Sequence, residues 1–203
     1  MRTIAKFVSY LFHPLLMPTY GFLLLLYSNF LYIAMLIDNQ TKWLLIGITF
    51  GFTFFMPLVN TLILLKMKRI KSIEVNERSE RTMPYLSTVI YYVALFYLFY
   101  SAGFSGYLSF LILGAATTIF IIYLINLRWK ISAHTAGMGG LSGVLFSFVF
   151  IFNADLFWII ALTLLVAGVV ASARLKLDAH TPSQVYAGFA LGFVIEFMFM
   201  IFI

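Results

Sequence analysis

His134 lies two residues after Ser132, and His180 lies six after Arg174 and four before Gln184. Hydroxyl, guanidinium and imidazole groups in this combination suit phosphoryl transfer. Cations and helix N-termini hold the phosphoryl oxygens, one imidazole attacks phosphorus, and a second supplies a proton to the departing oxygen. Histidine fits both of the last two roles because its proton equilibrium lies near neutral pH. A third stretch adds Lys71 and Arg78, seven apart, followed by Arg81 and Pro84. A chain this apolar has little use for such groups at helix ends unless something polar is held there.

The elements that carry these residues are transmembrane. Of 203 residues, 63% are hydrophobic, 19% aromatic and only 10% charged, where a soluble domain carries about a quarter charged residues. Lipid is therefore the solvent for most side chains. Hydrophobic runs at 20–37, 43–65, 84–102, 107–127, 135–152, 157–173 and 185–203 are each close to the ~20 residues that cross the hydrocarbon. The first is the weakest, because Pro14, Pro18 and Gly21 can make an interfacial entry or a kink there, so the expectation is an all-helical bundle of six or seven crossings. The length has room for one membrane domain, 1–203, with no soluble domain beside it. The chain has no cysteine, which removes disulfides, thiolate catalysis and cysteine-ligated metals. No cleavable signal peptide is expected, since the first apolar run is too long for one.

Short polar breaks at 38–42, 103–106 and 153–155 fall on one side of a seven-crossing bundle, together with the C-terminus. The N-terminus and the loops at 66–81, 128–130 and 174–184 fall on the other. Of the 13 Lys and Arg residues, twelve lie on that second side and only Lys42 on the first. Setting aside Lys71, Arg78, Arg81 and Arg174 as possible substrate ligands still leaves eight against one. By the positive-inside rule the basic side, which carries both histidines, is cytoplasmic.

In three blocks the sequence resembles the type 2 phosphatidic acid phosphatase superfamily, which includes the vanadium haloperoxidases and whose blocks read KxxxxxxRP, PSGH and SRxxxxxHxxxD. Here the first reads Lys71, six residues, Arg78, then Ser79 in place of proline. The second reads Ile131-Ser132-Ala133-His134. The third reads Ala173-Arg174, five residues, His180, three residues, Gln184, with Pro182-Ser183 and Ala187-Gly188 also matching. The third block is the most specific, and the resemblance covers about residues 66–203 as a phosphatase-like core. It implies that His180 attacks phosphorus to form a phosphohistidine and that His134 protonates the leaving oxygen. It implies too that Lys71, Arg78, Arg174 and Ser132 hold the phosphoryl oxygens, with Arg81 an offset alternative to Arg78. Gln184 stands where the family has an aspartate that orients the nucleophile. No metal or cofactor is implied. The implied substrate is a phospholipid or polyprenyl phosphate (phosphatidate, phosphatidylglycerophosphate or a polyprenyl phosphate or diphosphate), in a bacterial inner membrane.

Other polar residues have plainer explanations. Lys66, Lys68 and Arg69 read as cations facing anionic lipid, Glu74, Glu77 and Glu80 as partners for nearby cations, and His13 as an interfacial or capping residue. Asn60 reads as a helix-packing hydrogen bond. Glu196 lies inside a hydrophobic run, where a charge is expensive. Two rivals to the phosphatase remain: a lipid-binding or scaffold protein that keeps the fold, favoured by Gln184 and Ala173, and a transporter or channel, favoured by Glu196 and Asn60.

Overall fold

Hydrocarbon offers the backbone no hydrogen-bond partners, so long apolar runs satisfy their amides internally and become helices. The computed structural model describes residues 2–27, 32–75, 77–104 and 106–203, and among these it contains helices and turns with no strand. In chain order they are α1 (Arg2–Leu11), a 3-10 turn (Pro14–Leu16), α2 (Met17–Tyr27), α3 (Tyr32–Leu36), α4 (Asn39–Phe50), a π-helical turn (Gly51–Phe55) and α5 (Met56–Lys66). A second 3-10 turn (Ser79–Arg81) leads into α6 (Thr82–Ser101), followed by α7 (Gly106–Asn126), α8 (Ala133–Phe152), α9 (Phe157–Lys176) and α10 (Pro182–Ile201). Among the described residues, seven helical stretches are long and apolar enough to cross a membrane: Arg2–Tyr27, Asn39–Lys66, Ser79–Ser101, Gly106–Asn126, Ala133–Phe152, Phe157–Lys176 and Pro182–Ile201. The molecule is built as an integral, multi-pass membrane protein.

Six of these stretches are the expected runs with shifted ends. The first is a correction, because it runs over Arg2–Tyr27 rather than 20–37. Polar residues at 2, 6, 9 and 13 disguise it, but their three-to-four-residue spacing puts them on one helical face. Lys6, Ser9, Tyr10 and His13 line an internal cavity, while Ile4, Phe7 and Leu11 are exposed where lipid would lie. The 3-10 turn at Pro14–Leu16 kinks this crossing, as proline does. Residues 28–31 of the expected first run, and Ser105 of the expected break at 103–106, lie outside the described residues.

α8 and α10 form the central pair, running parallel. Gly139 and Gly143 of α8 face the Phe189 and Phe193 carbonyls of α10, and Gly188 and Gly192 of α10 face the Ser132 and Ala136 carbonyls of α8; this four-residue spacing lets the two backbones touch. A Cβ at Gly192 would collide with the Ala136 carbonyl, and one at Gly139 with the Phe189 carbonyl. Around this pair, Phe22, Leu25, Tyr92, Phe99, Ile112, Val144 and Phe148 form the main core. A smaller cluster of Ile122, Ile131 and Ala136, with Ala187 and Leu191 packed on it, joins the ends of α7, α8 and α10. Asn60 donates to Ser87 Oγ at 2.6 Å, bridging α5 and α6 as a packing bond.

Candidate active site

Two helix starts carry the histidines, and each has an identifiable cause. Ser132 is extended and its hydroxyl accepts from Thr135 N, so α8 begins at Ala133 and His134 sits in its first turn. Thr181 caps α10, Pro182 follows it, and Gln184 completes a capping box, leaving His180 just ahead of the cap. The two starts are tied together. Ser132 N donates to the Gln184 carbonyl at 3.2 Å, and Thr135 Oγ1 donates to the Val185 carbonyl at 2.9 Å. Both imidazoles therefore lie at the same end of the bundle.

Gln184 Oε1 has two partners, Thr181 N at 3.2 Å and His180 Nδ1 at 3.0 Å. A backbone N–H only donates, so the shared atom is the amide oxygen. That oxygen only accepts, so Nδ1 of His180 carries the proton and Nε2 carries the lone pair. Burial, followed by the charges of Arg81, Arg174 and Lys130, pulls the His180 pKa down to about 3 against the opposing Gln184 hydrogen bond. The ring is neutral at pH 7 and surrounded by cations.

The N-terminal helix closes over this end. His134 Nε2 donates to the Ser9 carbonyl at 3.1 Å, and Arg174 Nη1 donates to Ser9 Oγ at 3.2 Å. Arg174 Nε is buried with no partner. The His13 ring packs edge-on against His134 with centroids 5.3 Å apart, while its Nδ1 accepts from Leu15 N and caps the following turn. A cavity of about 560 Å³ opens here, lined by Ser9, His13, Lys130, His134, Arg174 and Ala179 among others. Burial, then Arg81 and Arg174, lower the Lys130 pKa. The acidic residues at this cavity are engaged: Glu74 with Tyr10 at 2.9 Å and Lys6 at 3.9 Å, and Asp178 with Arg2 at 2.9 Å.

The structure thus gathers Arg81, Ser132, His134, Arg174, His180 and Gln184, and it does not bring Lys71 or Arg78 to them. Lys71 is exposed and pairs with Glu77 at 2.6 Å, a hydrogen bond that raises its pKa. Arg78 donates to the carbonyls of Asn126 and Leu127, while Asn126 Nδ2 returns a bond to the Arg78 carbonyl. Its guanidinium satisfies carbonyls left open at the end of α7. Arg81 is 7% exposed, with Nε on the Val75 carbonyl at 3.0 Å, and its charge acts on His180, Arg174 and Lys130. Ser9, Tyr10, His13 and Lys130 are cavity residues that no sequence block marks; for the first three the available signal was the helical spacing of polar residues from Arg2 to His13, and for Lys130 its place in a basic loop.

Comparison with protein-family models, with curated proteins and with solved structures finds no match to this chain. The geometry defines a cationic chamber lined by Lys130, His134 and Arg174, with His180 and Arg81 near enough for their charges to be felt there, at one end of a membrane bundle. Its chemistry suits an anion with several oxygens.

Proposed function

We propose that the protein is a membrane phosphatase of the type 2 phosphatidic acid phosphatase kind, removing phosphate from a lipid through a phosphohistidine. One observation carries this reading. Gln184 fixes His180 with its proton on Nδ1, so that a neutral Nε2 is presented among Arg81, Arg174 and Lys130. His180 Nε2 attacks phosphorus, the bond to the lipid oxygen breaks, and that oxygen takes a proton from His134 in its imidazolium form, leaving a neutral ring. Water then attacks the phosphohistidine, gives a proton to His134, and releases inorganic phosphate with His180 restored. The unpartnered Nε of Arg174 is a free donor for a phosphoryl oxygen. A phosphoryl group bound here takes the place of the two Ser9 oxygens that now occupy His134 and Arg174. The charge asymmetry supports a cytoplasmic site in a bacterial inner membrane.

The test is phosphate release by the purified protein from short-chain phosphatidate. Release that disappears in His180→Ala supports the reaction; equal release by that variant rejects it. A second reading, a lipid-phosphate binder without turnover, has its own support in the absence of a carboxylate behind His180 and in the commitment of the His134 proton to Ser9. Saturable binding with no phosphate release by the wild type would select it.

A further inference from the structure

Beneath the cationic chamber lies a second, largely apolar cavity of about 80 Å³. Leu15 lines both, and Pro14 and Ala133, the neighbours of His13 and His134, form part of the lower cavity's wall. Glu196 also lines it, 5% exposed, with no hydrogen-bond partner on Oε2. Thr118 lines it too, buried, with Oγ1 equally unpartnered. The fold makes room for the carboxyl: a Cβ at Gly114 would stand against it, and one at Gly140 would lie 3.1 Å from Glu196 Cγ. Unpartnered oxygens in hydrocarbon are costly. Other hydroxyls nearby avoid that cost by bonding to their own helix, as Thr88, Thr117 and Ser142 do. Glu196 Oε2 and Thr118 Oγ1 are left without a partner in the wall of this cavity.

Depth decides what that space can hold. Gly140 follows His134 by six residues on α8, which places the Glu196 carboxyl roughly 9 Å below the histidine at 1.5 Å per residue. Thr118 is four residues from Gly114 along α7, about one turn nearer the cationic end. A cavity of about 80 Å³ is too small for a whole lipid chain and accepts only the atoms just behind the phosphate.

We propose that this cavity receives the first atoms of the lipid behind its phosphate, and that Thr118 and Glu196 bind ester or hydroxyl oxygens carried there. The assignment rests on the phosphatase reading of the chamber above. It selects acylglycerol phosphates over polyprenyl phosphates, whose chains carry no oxygen.

The experiment measures binding in the His180→Ala background, so that lipid is not consumed, and phosphate release in the wild type. The two probes are short-chain phosphatidate and a prenyl phosphate of matched chain length. Phosphatidate is expected to bind about tenfold more tightly, the factor that one hydrogen bond of about 1.4 kcal/mol carries. Glu196→Leu and Thr118→Val should each draw that ratio towards unity, while Glu196→Gln, which keeps a hydrogen-bonding group, should preserve it. An equal ratio in the parent and both apolar variants, or a parent preference for the prenyl phosphate, overturns the proposal and leaves the cavity to water. Thr118→Val keeps the test open if Glu196→Leu fails to fold. Selective binding of phosphatidate without phosphate release by the wild type would retain the cavity assignment and sink the reaction.

Discussion

Gln184 joins structure to chemistry through a single oxygen, which accepts from the Thr181 backbone and from His180 Nδ1. An amide can hold the imidazole's tautomer but cannot stabilise an imidazolium by charge. Gln184→Asp adds that charge and should raise phosphate release about tenfold, a part of the roughly 10²–10⁴-fold that an acid–base group contributes; a fall would show that the site is built around the amide. The same ring gives stability a pH dependence whose sign is fixed. His180 is held neutral down to about 3 in the folded protein, whereas an unfolded histidine takes up a proton near 6.5. The unfolded chain therefore binds more protons in that window, and stability is lost as pH falls from about 6.5 towards 3, by up to about 1.4 kcal/mol per unit. Melting curves across that range should flatten in His180→Gln. Two arginines separate at the same scale. Arg78→Ala breaks bonds to the α7 carbonyls and should lower the melting temperature while leaving phosphate affinity within about twofold. Arg81→Ala should weaken the binding of inorganic phosphate by about tenfold or more, as loss of a charged ligand does.

The central parallel pair sets the distance between the two histidines, and it does so through glycine. Replacing Gly192 by alanine drives a methyl into the Ala136 carbonyl, so α8 and α10 must separate or slide. Overpacking of this kind costs about 1–3 kcal/mol, and on the phosphatase proposal phosphate release should fall more than folded yield does, because the helix starts carry His134 and Gln184. A melting temperature and activity equal to wild type would show that the contact is slack. This pairing was not legible in the sequence, since small residues in an apolar run mark a close contact without naming its partner. What was legible followed from strong local signals. Hydropathy located six crossings, and the spacing of Ser132, His134, Arg174 and His180 marked groups that the fold does bring together. The first crossing escaped because Arg2, Lys6, Ser9 and His13 look like a polar leader until the helix turns them inward. Lys71 and Arg78 were read as phosphate ligands, with Arg81 only an offset alternative, because a sequence shows spacing and not hydrogen-bond partners; Glu77 and the α7 carbonyls engage them away from the site.

For the molecule as a whole, the basic residues and the candidate site fall at one end. Contacts among distant segments place the N-terminus and the loops before α6, α8 and α10 together: Arg2 meets Asp178, Tyr10 meets Glu74, and Arg78 meets the end of α7. These segments hold twelve of the 13 Lys and Arg residues, with Lys42 at the opposite end. A phosphate-binding chamber would by itself attract cations, but Lys66, Lys68, Arg69 and Lys71 take no part in the chamber and lie at the end of α5 and on the loop after it, where basic residues resist translocation. The absence of cysteine makes the orientation directly measurable, since any introduced thiol is unique. With sealed, right-side-out cells and a membrane-impermeant maleimide, Lys42→Cys should label without permeabilisation and Lys68→Cys only after it. The reverse pattern would put the histidines at the outer surface, where they would meet a different pool of lipid phosphates. Labelling of both thiols from outside would contradict the alternation of the seven crossings itself.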